Sequence, residues 1–190
     1  IDLYHIDHYT LSGVPNTGFT EALAFVFQKR DLMLMGYDQA VDDNTTLDIF
    51  WGLYEIMGVS LVDMRMWQWL YAHPDATAQQ LREATLAIAK KVWNTYYYPV
   101  LGEQDSPILA CYSHMVNAPM YLPNYPFGHI VEFQLEEHLA QFPTKQAFAD
   151  EIMRIYKLGK LTPNQWMQQA VGAKVSTTPI LNAVEAILKK

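Results

Sequence analysis

Apolar residues recur along this chain at intervals of three and four, and almost nowhere do they alternate singly with polar ones. That spacing predicts helices from end to end, an all-α fold whose stops are marked by glycine and proline. Thr17 is placed to cap a helix running to about Met35, with Gly36 as its left-handed terminator. A second helix is predicted from near Thr45 to just before Pro74. The run Thr77-Ala78-Gln79-Gln80 has the form of a capping box and opens a third, which has to end before Pro99 because proline pushes the residue ahead of it out of the helical region. Gly102, Pro107, Pro119 and Pro123 break up residues 100–123, so that stretch reads as a long loop with one short helix after Ser106. Loops of such length are commonly functional. Helices follow from Asn124 or Tyr125 to Gln141 and from Thr144 to Leu158, the second closed by Gly159. Thr162-Pro163 and Thr178-Pro179 open two more, each a cap with proline at the first helical position. No repeat, low-complexity tract or interdomain linker interrupts the pattern, so residues 1–190 read as one helical domain.

Composition narrows the function. With 51% hydrophobic residues in 190, the chain can bury a substantial core. The net charge is −7, and no basic cluster is longer than the pairs Lys90-Lys91 and Lys189-Lys190. Nothing there would track a phosphate backbone, and nucleic acid is not expected as a partner. A single cysteine, Cys111, excludes an internal disulfide. Lys29, Glu55 and Asp63 interrupt the longest apolar stretches, none of which reaches the roughly eighteen residues of a membrane span, so a soluble protein is expected. The chain starts at Ile1 with neither an initiator methionine nor a signal-peptide pattern, and is read as a piece of a longer polypeptide whose targeting information lies elsewhere.

Candidate chemistry begins in the run GVPNTGFTEALAFVFQ, residues 13–28. Its one carboxylate, Glu21, lies among Phe19, Ala22, Leu23, Ala24, Phe25, Val26 and Phe27, a pattern that predicts a buried helix. A buried carboxylate requires a cation or several donors, because unpaired it would cost several kcal/mol and protonate. The same residue equally suits the first turn, half exposed, where the helix N-terminus favours negative charge.

Residues 13–22, Gly-Val-Pro-Asn-Thr-Gly-Phe-Thr-Glu-Ala, resemble the segment Gly-Ala-Asn-Pro-Gly-Phe-His-Glu-Ala that carries the third zinc ligand in the angiotensin-converting-enzyme family of gluzincin peptidases. Thimet-oligopeptidase-like peptidases share the plan more distantly. In such enzymes His-Glu-x-x-His on an earlier helix supplies two ligands and the general base, and the ligand glutamate follows after roughly two dozen residues. The resemblance therefore implies that Glu21 is a zinc ligand, and that the His-Glu-x-x-His helix lies just upstream of Ile1 on the same polypeptide. Thr20 stands where the family has histidine, and Phe25 where it has an acidic partner to the ligand shell. His5 and His8 have metal-like spacing, but no glutamate follows the first; they read either as solvated or as part of a separate metal site.

A second match lies far downstream. Residues 124–139, Asn-Tyr-Pro-Phe-Gly-His-Ile-Val-Glu-Phe-Gln-Leu-Glu-Glu-His-Leu, resemble the family's Arg-Tyr-Phe-Val-Ser-(x)-Ile-(x)-(x)-Phe-Gln-Phe-(x)-(x)-Ala-Leu. Carried across, the resemblance implies that Tyr125 and His114 donate hydrogen bonds to the reacting oxyanion and that Tyr121 binds substrate. Asn124 replaces the family's arginine. On residue chemistry alone these tyrosines could equally fill a core edge. His129, Glu132 and Glu136 share one face of the same predicted helix, as ligands or as hydrogen-bonded and solvated charges. Tyr96-Tyr97-Tyr98-Pro99 could line a peptide groove or simply pack a helix end.

Together these features imply the C-terminal helical part of a zinc-dependent peptidase acting on peptide substrates. Zn²⁺ is expected in the intact parent and not in this piece, which lacks the general base and two ligands and is expected to be inactive alone. The alternative is a non-catalytic helical domain that grips peptides or serves as a scaffold.

Overall fold

The computed structural model describes residues 17–30, 35, 42–159 and 161–190. Every regular element among them is helical, as the apolar spacing predicts. In order they are α1 (Thr17–Gln28), α2 (Asp43–Ala72), α3 (Ala78–Tyr96), the single turn α4 (Tyr98–Leu101), a 3₁₀ turn (Ile108–Ala110), α5 (His114–Asn117), α6 (Asn124–Leu139), α7 (Lys145–Tyr156), α8 (Pro163–Val171) and α9 (Thr178–Leu188). Contacts divide the chain into two compact units, one comprising residues up to Phe50 with Phe127–Lys190, the other Trp51–Pro126.

Local chemistry explains most helix ends. Thr77 and Gln80 close the predicted capping box, with Gln80 N donating to Thr77 Oγ1 at 3.3 Å and Thr77 N to Gln80 Oε1 at 2.9 Å. Thr144 Oγ1 accepts from Ala147 N at 3.1 Å, and Gly159 and Gly172 take the positive φ that stops a helix. α1 stops at Gln28, not at Met35. Arg30 N bonds Phe27 O at 2.8 Å, tightening the last turn, while Arg30 Nη1 donates to Val26 O at 2.6 Å and so caps the helix. The predicted terminator Gly36 lies outside the described residues. α9 takes Thr177 rather than Thr178 as its cap, so Pro179 falls one place later. Residues 100–123 hold two short helical pieces where one is predicted.

In the first unit Phe19, Ala22, Leu23 and Val26 of α1 pack on Val131, Leu135 and Leu139 of α6 and on Ile152, Ile155, Trp166 and Met167. Burying each large apolar side chain here contributes about 1.5–3 kcal/mol. α1 is amphipathic and not buried all round, because Thr20, Ala24, Phe27 and Gln28 are exposed. Gly128 sets its closest approach to α6. A Cβ there would lie 2.9 Å from Glu21 Cβ, 3.0 Å from Phe25 Cε2 and 3.2 Å from the backbone N of Ala22.

The second unit packs Val59, Val62 and Met66 of α2 against Ala89, Val92 and Trp93 of α3, with Leu109, Met115 and Leu122 closing the loop side. Tyr97 lies across α2 at Gly58 and donates its hydroxyl to the carbonyls of Tyr54 and Glu55. Burial pushes this phenol up to about 12. The three-tyrosine run is therefore a packed helix end at Tyr97, whereas Tyr96 and Tyr98 remain exposed.

These contacts separate the helical glycines. Gly58→Ala and Gly128→Ala are each expected to lower stability by about 1–3 kcal/mol, since the added carbon meets atoms that cannot simply withdraw. Gly52→Ala, with nothing within 4 Å, is expected to raise it by up to about 1 kcal/mol. Urea melts of the three variants check the order.

Candidate functional site

Three of the four predicted site residues come together in the second unit. His114 opens α5, and Tyr125 lies in the first turn of α6. Between them a tight turn, Ala118-Pro119-Met120-Tyr121, is closed by Tyr121 N donating to Ala118 O at 3.1 Å. Asn124 joins this turn to α6 by donating from Nδ2 to Tyr121 O at 2.9 Å, so the residue at the family's arginine position serves the backbone. The ring centroids of Tyr121 and Tyr125 are 5.4 Å apart and edge-to-face, and each lies 6.3 Å from the imidazole of His114. Tyr112 adds a fourth ring at 5.3 Å from His114. The Nδ1 of His114 is buried with no hydrogen-bond partner. An imidazole and phenols gathered in this way present N–H and O–H donors of the kind that stabilise developing negative charge on oxygen.

Tyr112 also lines a groove of about 590 Å³, whose other walls include Trp51, Tyr54, Trp93 and Tyr97 with one carboxylate, Glu55. Trp51 Nε1 donates to Glu55 Oε1 at 3.1 Å. The size and the apolar, aromatic lining suit a small ligand or a peptide side chain.

Glu21 belongs to the first unit, as the fifth residue of α1, and is half-buried. Its Cβ packs over Gly128. One turn later Phe25, at the position where the family carries an acid, stacks flat on His129 with centroids 3.9 Å and planes 3° apart. A further turn on, Lys29 Nζ lies 2.9 Å from Glu132 Oε1 and 4.1 Å from the centre of the Phe133 ring. Glu132 is fully buried and also accepts from His129 Nδ1 at 2.8 Å. Glu136 forms a two-point ion pair with Arg30, one arm at 2.7 Å. The face predicted to carry His129, Glu132 and Glu136 thus meets the two cations of the turn that follows α1, Lys29 and Arg30, and Glu132 is enclosed, not solvated. Among the described residues no three His, Cys, Asp or Glu side chains converge as a metal ion requires. Glu21 alone fits one corner of a metal site and no more. His5 and His8 lie outside the described residues.

Sequence reasoning passed over Asp63. It sits inside α2 with no exposure, both carboxylate oxygens lack a hydrogen-bond partner, and burial raises its pKa. The backbone N–H of Met120 and the indole of Trp67 favour its charge without offsetting that burial. The signal was present, since an acid within Gly-Val-Ser-Leu-Val-Asp-Met-Arg-Met-Trp is as conspicuous as Glu21 in its own run.

Comparison of the chain with protein-family models, with curated proteins and with solved structures returned no match.

Asp63 gives a pH dependence whose sign is fixed. A carboxyl with a raised folded-state pKa penalises folding above that value, and the penalty is lost as pH falls through it toward the ordinary 3.8. Asp63→Asn is therefore expected to be the more stable protein at pH 7, with the gap narrowing in mild acid; denaturant midpoints at several pH values measure it.

Proposed function

We propose that this chain is the C-terminal helical part of a zinc-dependent peptidase, in which Glu21 serves as a zinc ligand, His114 and Tyr125 as oxyanion donors and Tyr121 as a substrate contact. The observation that carries the reading is the convergence of His114, Tyr121 and Tyr125 into one cluster with ring centroids 5.4–6.3 Å apart. The sequence resemblance selected those residues without reference to their spatial proximity.

On this reading the remaining ligands and the general base come from a His-Glu-x-x-His segment of the same polypeptide, since among the described residues no group of three metal-ligating side chains is present. Zinc bound with that segment would supply a Lewis acid and a water acidic enough to attack at neutral pH. The part of this chain is electrostatic: attack on a peptide carbonyl builds charge on oxygen, and each donor held ready contributes about 3 kcal/mol. The phenol of Tyr125 and an imidazole N–H of His114 fill that role, while Tyr121 orients the peptide. The aromatic groove beside Tyr112 would receive an apolar portion of the substrate.

A second reading is favoured by the groove itself. A helical domain with an aromatic cleft of about 590 Å³ can hold a peptide without cutting it.

The experiment that separates them is expression of the chain together with any coding sequence found ahead of Ile1, followed by zinc analysis and peptide cleavage. The peptidase reading expects stoichiometric zinc that Glu21→Gln loses. It also expects kcat to fall about 10²–10³-fold in Tyr125→Phe or His114→Ala, with KM little changed. An upstream segment without His-Glu-x-x-His, or a longer protein that stays metal-free and inactive yet binds peptides, would establish the binding reading instead.

A further inference from the structure

Four rings stand in a row along the aromatic groove: Trp51 lies 5.7 Å from Tyr54, Tyr54 4.7 Å from Tyr97, and Tyr97 5.3 Å from Trp93, centroid to centroid. All four line it. Each has its polar atom engaged inside the protein: Trp51 Nε1 donates to Glu55 Oε1, the Tyr54 hydroxyl to the carbonyl of Tyr96, the Tyr97 hydroxyl to that of Tyr54, and Trp93 Nε1 to that of Glu103. The row therefore offers a ligand carbon and π-electron density, and has no donor left for an anion.

The charge around it has one sign. The walls come from residues 51–59 and 93–112, and the chain has no lysine or arginine between Arg30 and Arg65 or between Lys91 and Lys145. Glu55 is the one charged side chain among the lining residues. It is exposed, and its second oxygen, Oε2, makes no hydrogen bond or ion pair with a described residue. A cation beside such rings is attracted by their π-electrons and by the carboxylate together, whereas an anion is repelled by both.

We propose that this groove binds the side chain of a lysine in a peptide, its methylenes along the rings and the apolar rim of Leu101 and Ile108, its ammonium at Glu55 Oε2. Lysine fits better than arginine because the Trp51 indole already occupies Oε1, so the carboxylate meets a single-point ammonium more readily than a two-pronged guanidinium. A volume of about 590 Å³ leaves room for backbone on either side. That the ammonium arrives on a peptide rests on the function proposed above; the selection for positive charge does not.

The test titrates the 190-residue chain with peptides acetyl-Ala-Xaa-Ala-amide, Xaa being lysine, arginine, norleucine or glutamate, and follows the indole N–H resonance of Trp51, which Trp51→Phe assigns. Lysine is expected to bind about tenfold tighter than norleucine, which has the same stem without the charge, and the difference to shrink in high salt. Glu55→Gln keeps an oxygen for the indole and should cut that preference to about threefold or less, leaving norleucine binding as it was. Cys111, the chain's one thiol, is exposed and also lines the groove, so its alkylation by iodoacetamide should slow when the lysine peptide is bound. Norleucine or glutamate bound as tightly as lysine, arginine bound more tightly, a preference unchanged in Glu55→Gln, or a lysine peptide that neither moves the indole nor protects the thiol would overturn the proposal. No zinc or cleavage enters these readouts, so failure here leaves the peptidase reading to its own experiment, and a metal-free, inactive longer protein would leave the lysine preference standing.

Discussion

A carboxylate removed from water is costly unless it meets a donor, and that requirement organises the first unit of this chain. There Glu132 is completely enclosed and meets Lys29 and His129. Glu151 lies between Arg154 and His138, and the guanidinium beside it holds its carboxyl below the usual range. Removing one partner of a buried pair typically costs about 3–5 kcal/mol, so these contacts fix which face of α6 meets α1 and which meets α7. In the second unit Asp63 is as fully enclosed, yet neither of its carboxylate oxygens has a hydrogen-bond partner, and burial raises its pKa.

Apolar packing then acts on helices whose faces are already assigned. α1 enters the first core through Phe19, Ala22, Leu23 and Val26, and its other side carries Glu21 and Phe25 along α6, with Lys29 following in the turn after it. Gly128 permits that approach because a side chain there would meet the backbone of Ala22. Gly58 plays the same part under Tyr97. In each unit one glycine lets a large or charged side chain lie against a helix backbone, and ridge-and-groove packing follows from there.

The donor cluster sits at the least regular part of the second unit. His114, Tyr121 and Tyr125 are separated by short helices and a tight turn, the kind of segment that carries function when a rigid scaffold holds its ends. Here the scaffold is the α2 and α3 core of Val62, Val92 and Trp93, on which Met115 and Leu122 are anchored between the cluster's residues. Buried apolar side chains thus alternate with donors along the loop. That alternation turns the loop into a fixed array of rings.

The helical class, the capping box at Thr77, the stops at Gly159 and Gly172 and the break near Pro99 were legible in the sequence, because capping and backbone restriction act over three or four residues. The end of α1 was not. It depends on Arg30 reaching Glu136, which is more than a hundred positions away. The argument first applied to Glu21, that an acid among apolar neighbours needs an explanation, describes Asp63 better: Glu21 is only half-buried, and Asp63 has no exposure at all. Spacing tells how often apolar residues recur, whereas burial depends on what packs across from them. For the same reason the sequence could nominate His114, Tyr121 and Tyr125 by resemblance, but only the tertiary fold could bring their rings within 6.3 Å of one another, since a turn held in the left-handed region at Met120 follows no local propensity of that residue.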